Sequence, residues 1–379
     1  MENTNPPLKN QCDLSNHSKV VELSQNAHRL FKEKRYSQAC VLYNDARELE
    51  PNNPYILIGL GDTLRMLKNF PRAAQCYQHV LERDPKNIFA LRGLGDTCRG
   101  QRLLDKALPL WIRYIQFRPR DIFVLSRIAD GHKKLGNYQQ AQTYYRKVLT
   151  INKEDRYALM GLADLYQKTG QDELAIKHYD QVLQKCPGLI NILTIVGNLY
   201  RRHDRYEKAR EYYEKALALE STNAYALYGL GHYYRRQQDY PMAISLWEKI
   251  LEKEQGSTNL LTRLADAYRN IGNLSAAEAT YRKSLENGHD KFSLLGLAKL
   301  YAVRGEANKA VCCYRQLVAS EEEDGRFFIE IVSQMIECNR KSDALSLYQT
   351  ACELLKDNQE IYQKLTIHVE KLQLPLCCN

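Results

Sequence analysis

Carboxylates and basic groups recur along this chain at intervals of 34 residues. Asp62, Asp96, Asp130 and Asp164 form one row, and Arg65, Arg99 and Lys133 follow the first three of them by three positions. Acid and base three apart share a helix face and can pair for ~0.2–0.5 kcal/mol each. The chemistry this spacing offers is ion pairing and recognition. Aromatics recur in the same phase at Tyr55, Phe89, Phe123 and Tyr157. Motifs for making or breaking bonds do not occur: there is no phosphate loop, metalloprotease helix or nucleophile elbow. Gly59-Leu60-Gly61 and Gly93-Leu94-Gly95 imitate half of a dinucleotide fingerprint, but Leu64 and Cys98 stand where its third glycine belongs. No histidine has another histidine or a cysteine four residues on; His232 alone merits inspection, and a free surface histidine is the simpler reading. Cys312 and Cys313 cannot point the same way on one helix, which removes a joint metal site. The expectation is no catalytic residue, no metal, no cofactor and no small-molecule substrate.

The rows belong to a repeat written in side-chain size. Counted from Val20, the twentieth residue of every unit is alanine, from Ala39 and Ala73 through to Ala310 and Ala344. Four residues later stands a large aromatic, such as Tyr43, Tyr77, Trp111, Tyr145, Tyr179, Tyr213, Trp247, Tyr281, Tyr314 and Tyr348. The eighth residue is Gly or Ala until Val332 in the tenth unit. A fixed period of this length marks stacked helix pairs. In the fifth unit Leu159, Leu162, Ala163 and Tyr166 lie on one face of a first helix, Thr169-Gly170-Gln171 breaks it, and Ala175, Tyr179 and Val182 form the buried face of a second. Small residues at positions 8 and 20 let the two helices approach, and the aromatic at 24 fills the space toward the next helix.

This pattern resembles the tetratricopeptide repeat. Leu at 4, Leu, Ile or Val at 7, Gly or Ala at 8, Tyr at 11, Ala at 20 and an aromatic at 24 carry the likeness, whereas Pro at 32 occurs only as Pro51, Pro85, Pro119 and Pro187. The resemblance implies an all-α, right-handed superhelical solenoid of tandem helix-turn-helix hairpins. Ten units over residues 20–358 are expected, starting near Val20, Pro54, Ile88, Ile122, Arg156, Ile190, Ala224, Thr258, Lys291 and Gly325. Residues 1–19 read as a polar, disordered lead. Residues 359–379 read as a capping helix, with Ile361, Leu365 and Val369 on its apolar side, and a short tail.

The resemblance also implies that first helices line a concave groove. The residues it places there are Tyr55, Phe89, Phe123, Tyr157 and Tyr225; Asp62, Asp96, Asp130, Asp164 and Asp266; Asn198; and Arg65, Arg92, Arg99, Arg127, Lys133, Arg201, Arg235 and Arg269. Such a wall suits an extended or helical peptide, with aromatics giving area and charges fixing register. The local alternative is helix support by i, i+3 pairs and packing of the aromatics on the preceding unit. Position 6 carries Gly59, Gly93, Gly161, Gly229 and Gly296, where glycine costs ~1 kcal/mol relative to Ala. Room for a ligand backbone and tight contact between adjacent first helices both explain it. The Lys-and-Asn clamp by which co-chaperones of this family hold a carboxylate terminus is missing, with Asn198 isolated in its row.

Charge is uneven. Residues 86–150 hold 13 Lys and Arg against 4 Asp and Glu, a surplus equal to the +9 of the whole chain. That basic stretch suits an acidic protein partner first, a solvated surface second and nucleic acid third. Eleven cysteines, with no C-x-x-C pair, read as buried, reduced side chains and favour the cytoplasm. No apolar run is long enough for membrane insertion. The expected function is a non-catalytic scaffold that binds another protein or a peptide segment. A regulatory or substrate-presenting subunit of an enzyme, envelope or secretion assembly is the alternative, and nucleic-acid binding through units three and four comes after it.

Overall fold

The computed structural model describes residues 9–253, 256–288 and 290–320, together with residue 342. Among the described residues there are eighteen helices and no strand. The chain divides into two compact units, Met1–Pro187 and Gly188–Asn379. In the first, α1 (Lys9–Lys32) packs on α2 (Tyr36–Leu49), α3 (Pro54–Met66) on α4 (Phe70–Arg83) and α5 (Ile88–Gly100) on α6 (Leu104–Phe117). α7 (Ile122–Lys134) then packs on α8 (Tyr138–Ile151) and α9 (Arg156–Lys168) on α10 (Asp172–Lys185). The second unit pairs α11 (Ile190–Arg202) with α12 (Tyr206–Leu219) and α13 (Ala224–Arg236) with α14 (Tyr240–Leu251). It continues with α15 (Thr258–Asn270) on α16 (Leu274–Glu286) and α17 (Lys291–Val303) on α18 (Ala307–Ser320).

Two sequence expectations need correction or placement. The lead expected to be disordered through residue 19 is helical from Lys9, because Pro6 and Pro7 precede the helix and no Gly or Pro interrupts Lys9–Lys32. The tenth hairpin from Gly325 and the cap at 360–372 lie outside the described residues.

Each hairpin turns through one left-handed residue at position 15. Glycine holds it at Gly136, Gly170, Gly272 and Gly305, while Lys34, Lys68, Arg102, Asp204 and Gln238 hold it with φ near +60°. Except at α11, where Leu189 offers none, the next hairpin then begins on a side-chain cap. Asp121 Oδ1 accepts from the backbone N–H of Phe123 and Val124, and Asn53, Asn87, Asp155 and Asn223 cap α3, α5, α9 and α13 in the same way.

Packing follows the size code. Ala39, Ala73, Ala107, Ala141 and Ala175 are buried in the first unit, and Ala209, Ala243, Ala277 and Ala310 in the second. Trp111, Trp247, Tyr43, Tyr77, Tyr145, Tyr179, Tyr213 and Tyr281 are among the largest fully buried side chains. Burying such rings contributes large apolar area to the contact between successive helices.

Candidate functional site

The glycines at position 6 are explained by those rings. A Cβ on Gly59 would lie 2.5 Å from Tyr43, and one on Gly93 2.4 Å from Tyr77. Gly161 meets Tyr145, Gly229 meets Tyr213 and Gly296 meets Tyr281 equally closely. Position 6 is therefore spent on the tyrosine of the preceding hairpin, not on space for a ligand backbone. Where the preceding aromatic is tryptophan, position 6 is arginine: Arg127 follows Trp111 and Arg263 follows Trp247. At every glycine junction the neighbouring first helices touch, as α1 on α3, α3 on α5, α7 on α9, α11 on α13 and α15 on α17. At the two tryptophan junctions, α5 with α7 and α13 with α15, they approach less closely.

The aromatic row at position 2 is open to solvent. Tyr55 is 53%, Phe89 65%, Phe123 68%, Tyr157 69% and Tyr225 73% exposed. They do not pack away against the preceding hairpin, so the local alternative for them does not hold.

The acidic row is occupied from within. The hydroxyl of Tyr77 donates to Asp62 at 2.7 Å, that of Tyr179 to Asp164 at 2.6 Å and that of Tyr281 to Asp266 at 2.5 Å. Tyr145 donates to Asp130 in the same way, and Tyr213 to the side-chain oxygen of Asn198 at 2.8 Å. Burial, and then the adjacent carboxylate, pushes the Tyr77, Tyr145, Tyr179 and Tyr281 phenols well above their ordinary range. Each such bond ties a second helix to its own first helix. Where position 24 is Trp111 the phenol is missing, and Asp96 instead receives Arg127 Nη1 at 2.6 and 2.7 Å from the next hairpin.

The basic row is not uniform. Arg65 pairs with Asp62 and Arg269 with Asp266, as the i, i+3 spacing predicts. The other two expected pairs do not form: Asp96 takes Arg127, and Lys133 reaches Asp164 on the next first helix at 3.2 Å. Arg92 lies 3.7 Å from the capping Asp121 of the following hairpin. Arg99 is exposed and makes no ion pair among the described residues. In the second unit Arg201 and Arg235 are half-buried, and their Nε atoms have no hydrogen-bond partner.

His232 is not a free surface histidine. It is 7% exposed, edge-on to Tyr228 at 4.5 Å and to Trp247 at 5.6 Å between ring centres. Burial first, and then the charges of Arg263, Arg201 and Arg235, lower its pKa to about 3. Of the cysteines, Cys76, Cys98 and Cys313 are buried and Cys312 is exposed. Burial raises the Cys76 and Cys98 thiols and takes Cys313 to about 11, so these three are poor nucleophiles and poor metal ligands at neutral pH. Among the described residues no group of His, Cys, Asp and Glu could hold a metal ion, and no helix is long and apolar enough to cross a membrane.

Sequence reasoning missed the tyrosine–aspartate bonds fifteen positions apart and left Arg263 off the candidate wall. The signal for Arg263 lay in the sequence: position 6 is Arg where the preceding position 24 is Trp, at Arg127 after Trp111 and at Arg263 after Trp247.

Comparison with protein families finds tetratricopeptide repeat models matching residues 30–95, 124–155, 155–219 and 228–291, and a TPR repeat model matching 197–249. Comparison with curated proteins finds no match. Among solved structures, the chain is similar to the crystal structure of MamA protein, at 23% identity over 45% of this chain and 93% of that one, with a TM-score of 0.43. It is also similar to a tetratricopeptide repeat protein from Parabacteroides merdae ATCC 43184, at 17% identity over 69% of this chain and 99% of that one, with a TM-score of 0.46.

Proposed function

The chain belongs to the tetratricopeptide repeat family, a protein-interaction scaffold, and on that premise we propose that a peptide segment of a partner protein lies across the first helices of the first unit. The observation that carries this reading is the exposed ladder Tyr55, Phe89, Phe123 and Tyr157, one ring from each of α3, α5, α7 and α9. Apolar area left in water on successive helices favours a partner that covers it, at ~25 cal/mol per Å² of apolar surface removed.

Charge supports an acidic segment as the occupant. Asp62, Asp96, Asp130 and Asp164 are engaged by Tyr77, Arg127, Tyr145 and Tyr179, while Arg99 is open. The wall thus presents Arg99 beside the rings, with the four acids of the row already hydrogen-bonded. The basic stretch 86–150 supplies α5 to α8 of this unit, so nucleic acid is the outcome to exclude.

The test is photo-crosslinking from Phe89 and Phe123, compared with the second-helix positions Gln78 and Gln140, in extracts with and without nuclease. Nuclease-resistant capture of protein from Phe89 and Phe123 supports the reading. Capture confined to Gln78 and Gln140, or abolished by nuclease, overturns it.

A further inference from the structure

The two tryptophan junctions allow one half of the molecule to be read against the other. In the first unit Arg127 enters beside α5, where the buried carboxylate of Asp96 neutralises it. In the second unit Arg263 occupies the same register beside α13. The residue in the Asp96 register there is His232, and it cannot serve as counter-ion. Held between Tyr228 and Trp247, and with its pKa lowered by burial and by Arg263, Arg201 and Arg235, it is neutral across the physiological range.

The positive charge around it is only partly offset, by Asp266 acting on Arg235. Arg235 follows His232 by one turn on α13, and Arg201 holds the same register on α11, the first helix that touches α13. Both are half-buried, and neither makes an ion pair among the described residues. Arg263 Nε donates to the side-chain oxygen of Asn259 at 3.0 Å, a neutral partner that leaves the charge in place. Asp266, the carboxylate that acts on Arg235, already accepts from Tyr281 and Arg269. Three guanidinium groups on consecutive first helices, all acting on His232 and none in an ion pair among the described residues, are a costly arrangement without an anion.

We propose that Arg201, Arg235 and Arg263 form a carboxylate-binding site, which takes an Asp or Glu side chain from an acidic segment of a protein partner. The incoming carboxylate supplies to the α13–α15 junction what Asp96 supplies to the α5–α7 junction. Guanidinium forks match carboxylates in shape as well as charge. Tyr225, exposed on the same helix, stands ready to cover the apolar part of the same segment. The site lies wholly in the second unit and does not depend on the aromatic ladder of the first.

The test uses the full chain and a short fluorescein-labelled peptide of alternating Glu and Gly, with binding read by fluorescence anisotropy at low and at physiological ionic strength. Arg263→Gln and Arg235→Gln should each weaken binding by about tenfold. His232→Asp should do the same by installing the missing carboxylate, with a circular-dichroism melt to verify folding. Lys249→Gln removes one exposed positive charge from α14 and controls for net charge. Unchanged binding in Arg263→Gln and Arg235→Gln, or an equal loss in Lys249→Gln, overturns the proposal. Tighter binding at the same arginines of a phosphoserine peptide or of single-stranded RNA overturns the choice of carboxylate. Loss of crosslinking at Phe89 and Phe123 is a separate result that leaves this one standing.

Discussion

Replacing Gly93 by alanine sets two physical effects against each other. Helix propensity favours Ala over Gly by ~1 kcal/mol in a helix interior, so a helix-only argument says Gly93→Ala stabilises. The structure says the reverse. The new Cβ would stand 2.4 Å from Cε1 and 2.5 Å from Cζ of Tyr77. Carbon atoms in contact prefer ~3.5–4.0 Å, so ring or helix must yield by roughly 1 Å. The ring has little freedom to yield. It also rests on Gly61, where an added Cβ would lie 2.8 Å from Cζ, and its hydroxyl is anchored to Asp62 at 2.7 Å. Overpacking costs ~1–3 kcal/mol, and loosening the buried hydrogen bond adds ~0.5–1.5 kcal/mol. Less the propensity gain, the variant should lose about 0.5–3.5 kcal/mol. Urea unfolding followed by circular dichroism gives the size, and hydrogen exchange in α4 and α5 gives the place, since tandem repeats can unfold piecewise. The decisive control is the same substitution in a Tyr77→Leu background, where the penalty should shrink or change sign. A raised midpoint in the single variant, or an equal penalty in both backgrounds, would refute the ring-against-glycine account.

Four further outcomes follow from the same geometry. Tyr179→Phe removes the phenol from Asp164 and should cost about 1 kcal/mol with no change of fold, read from the unfolding midpoint. Asp96→Ala leaves Arg127 half-buried without its counter-ion and should cost about 2–4 kcal/mol, and Arg127→Gln in the same chain should restore part of the loss. Arg102→Gly relieves a left-handed residue at φ +64° and should stabilise by up to about 1 kcal/mol; a lower melting temperature would count against strain at position 15. His232 binds protons more weakly folded than unfolded, so it contributes a loss of stability as pH falls from its ordinary 6.5 toward about 3. The stability advantage of the wild-type chain over His232→Gln should therefore shrink steadily between pH 7 and pH 4, and a constant difference would remove the burial argument.

Much of the fold was legible because the repeat uses size, and size survives in sequence without knowledge of partners. Alanine at position 20 and the aromatic at position 24 announce where helices touch, and Leu159, Leu162, Ala163 and Tyr166 are buried on the face that their spacing assigns. The site was legible only in part. Exposure of the position 2 rings follows from their place on the helix, and Phe123 and Tyr157 are open. Charge partners were misread at Asp96 and Lys133, because an i, i+3 rule sees only one helix, whereas Arg127 and Asp164 arrive from the neighbouring hairpin.

By itself the sequence determined the hairpin, the family and the row on which each side chain sits, since these depend on local periodicity and on volume. Only tertiary structure decided which charges are free. Asp62 and Asp164 look available in the sequence but are taken by phenols fifteen residues away, while His232 looks like an exposed titratable group and proves buried and neutral. The physical reason is that ionisation and hydrogen bonding depend on desolvation and on neighbours from other helices, and neither can be counted until the helices are packed.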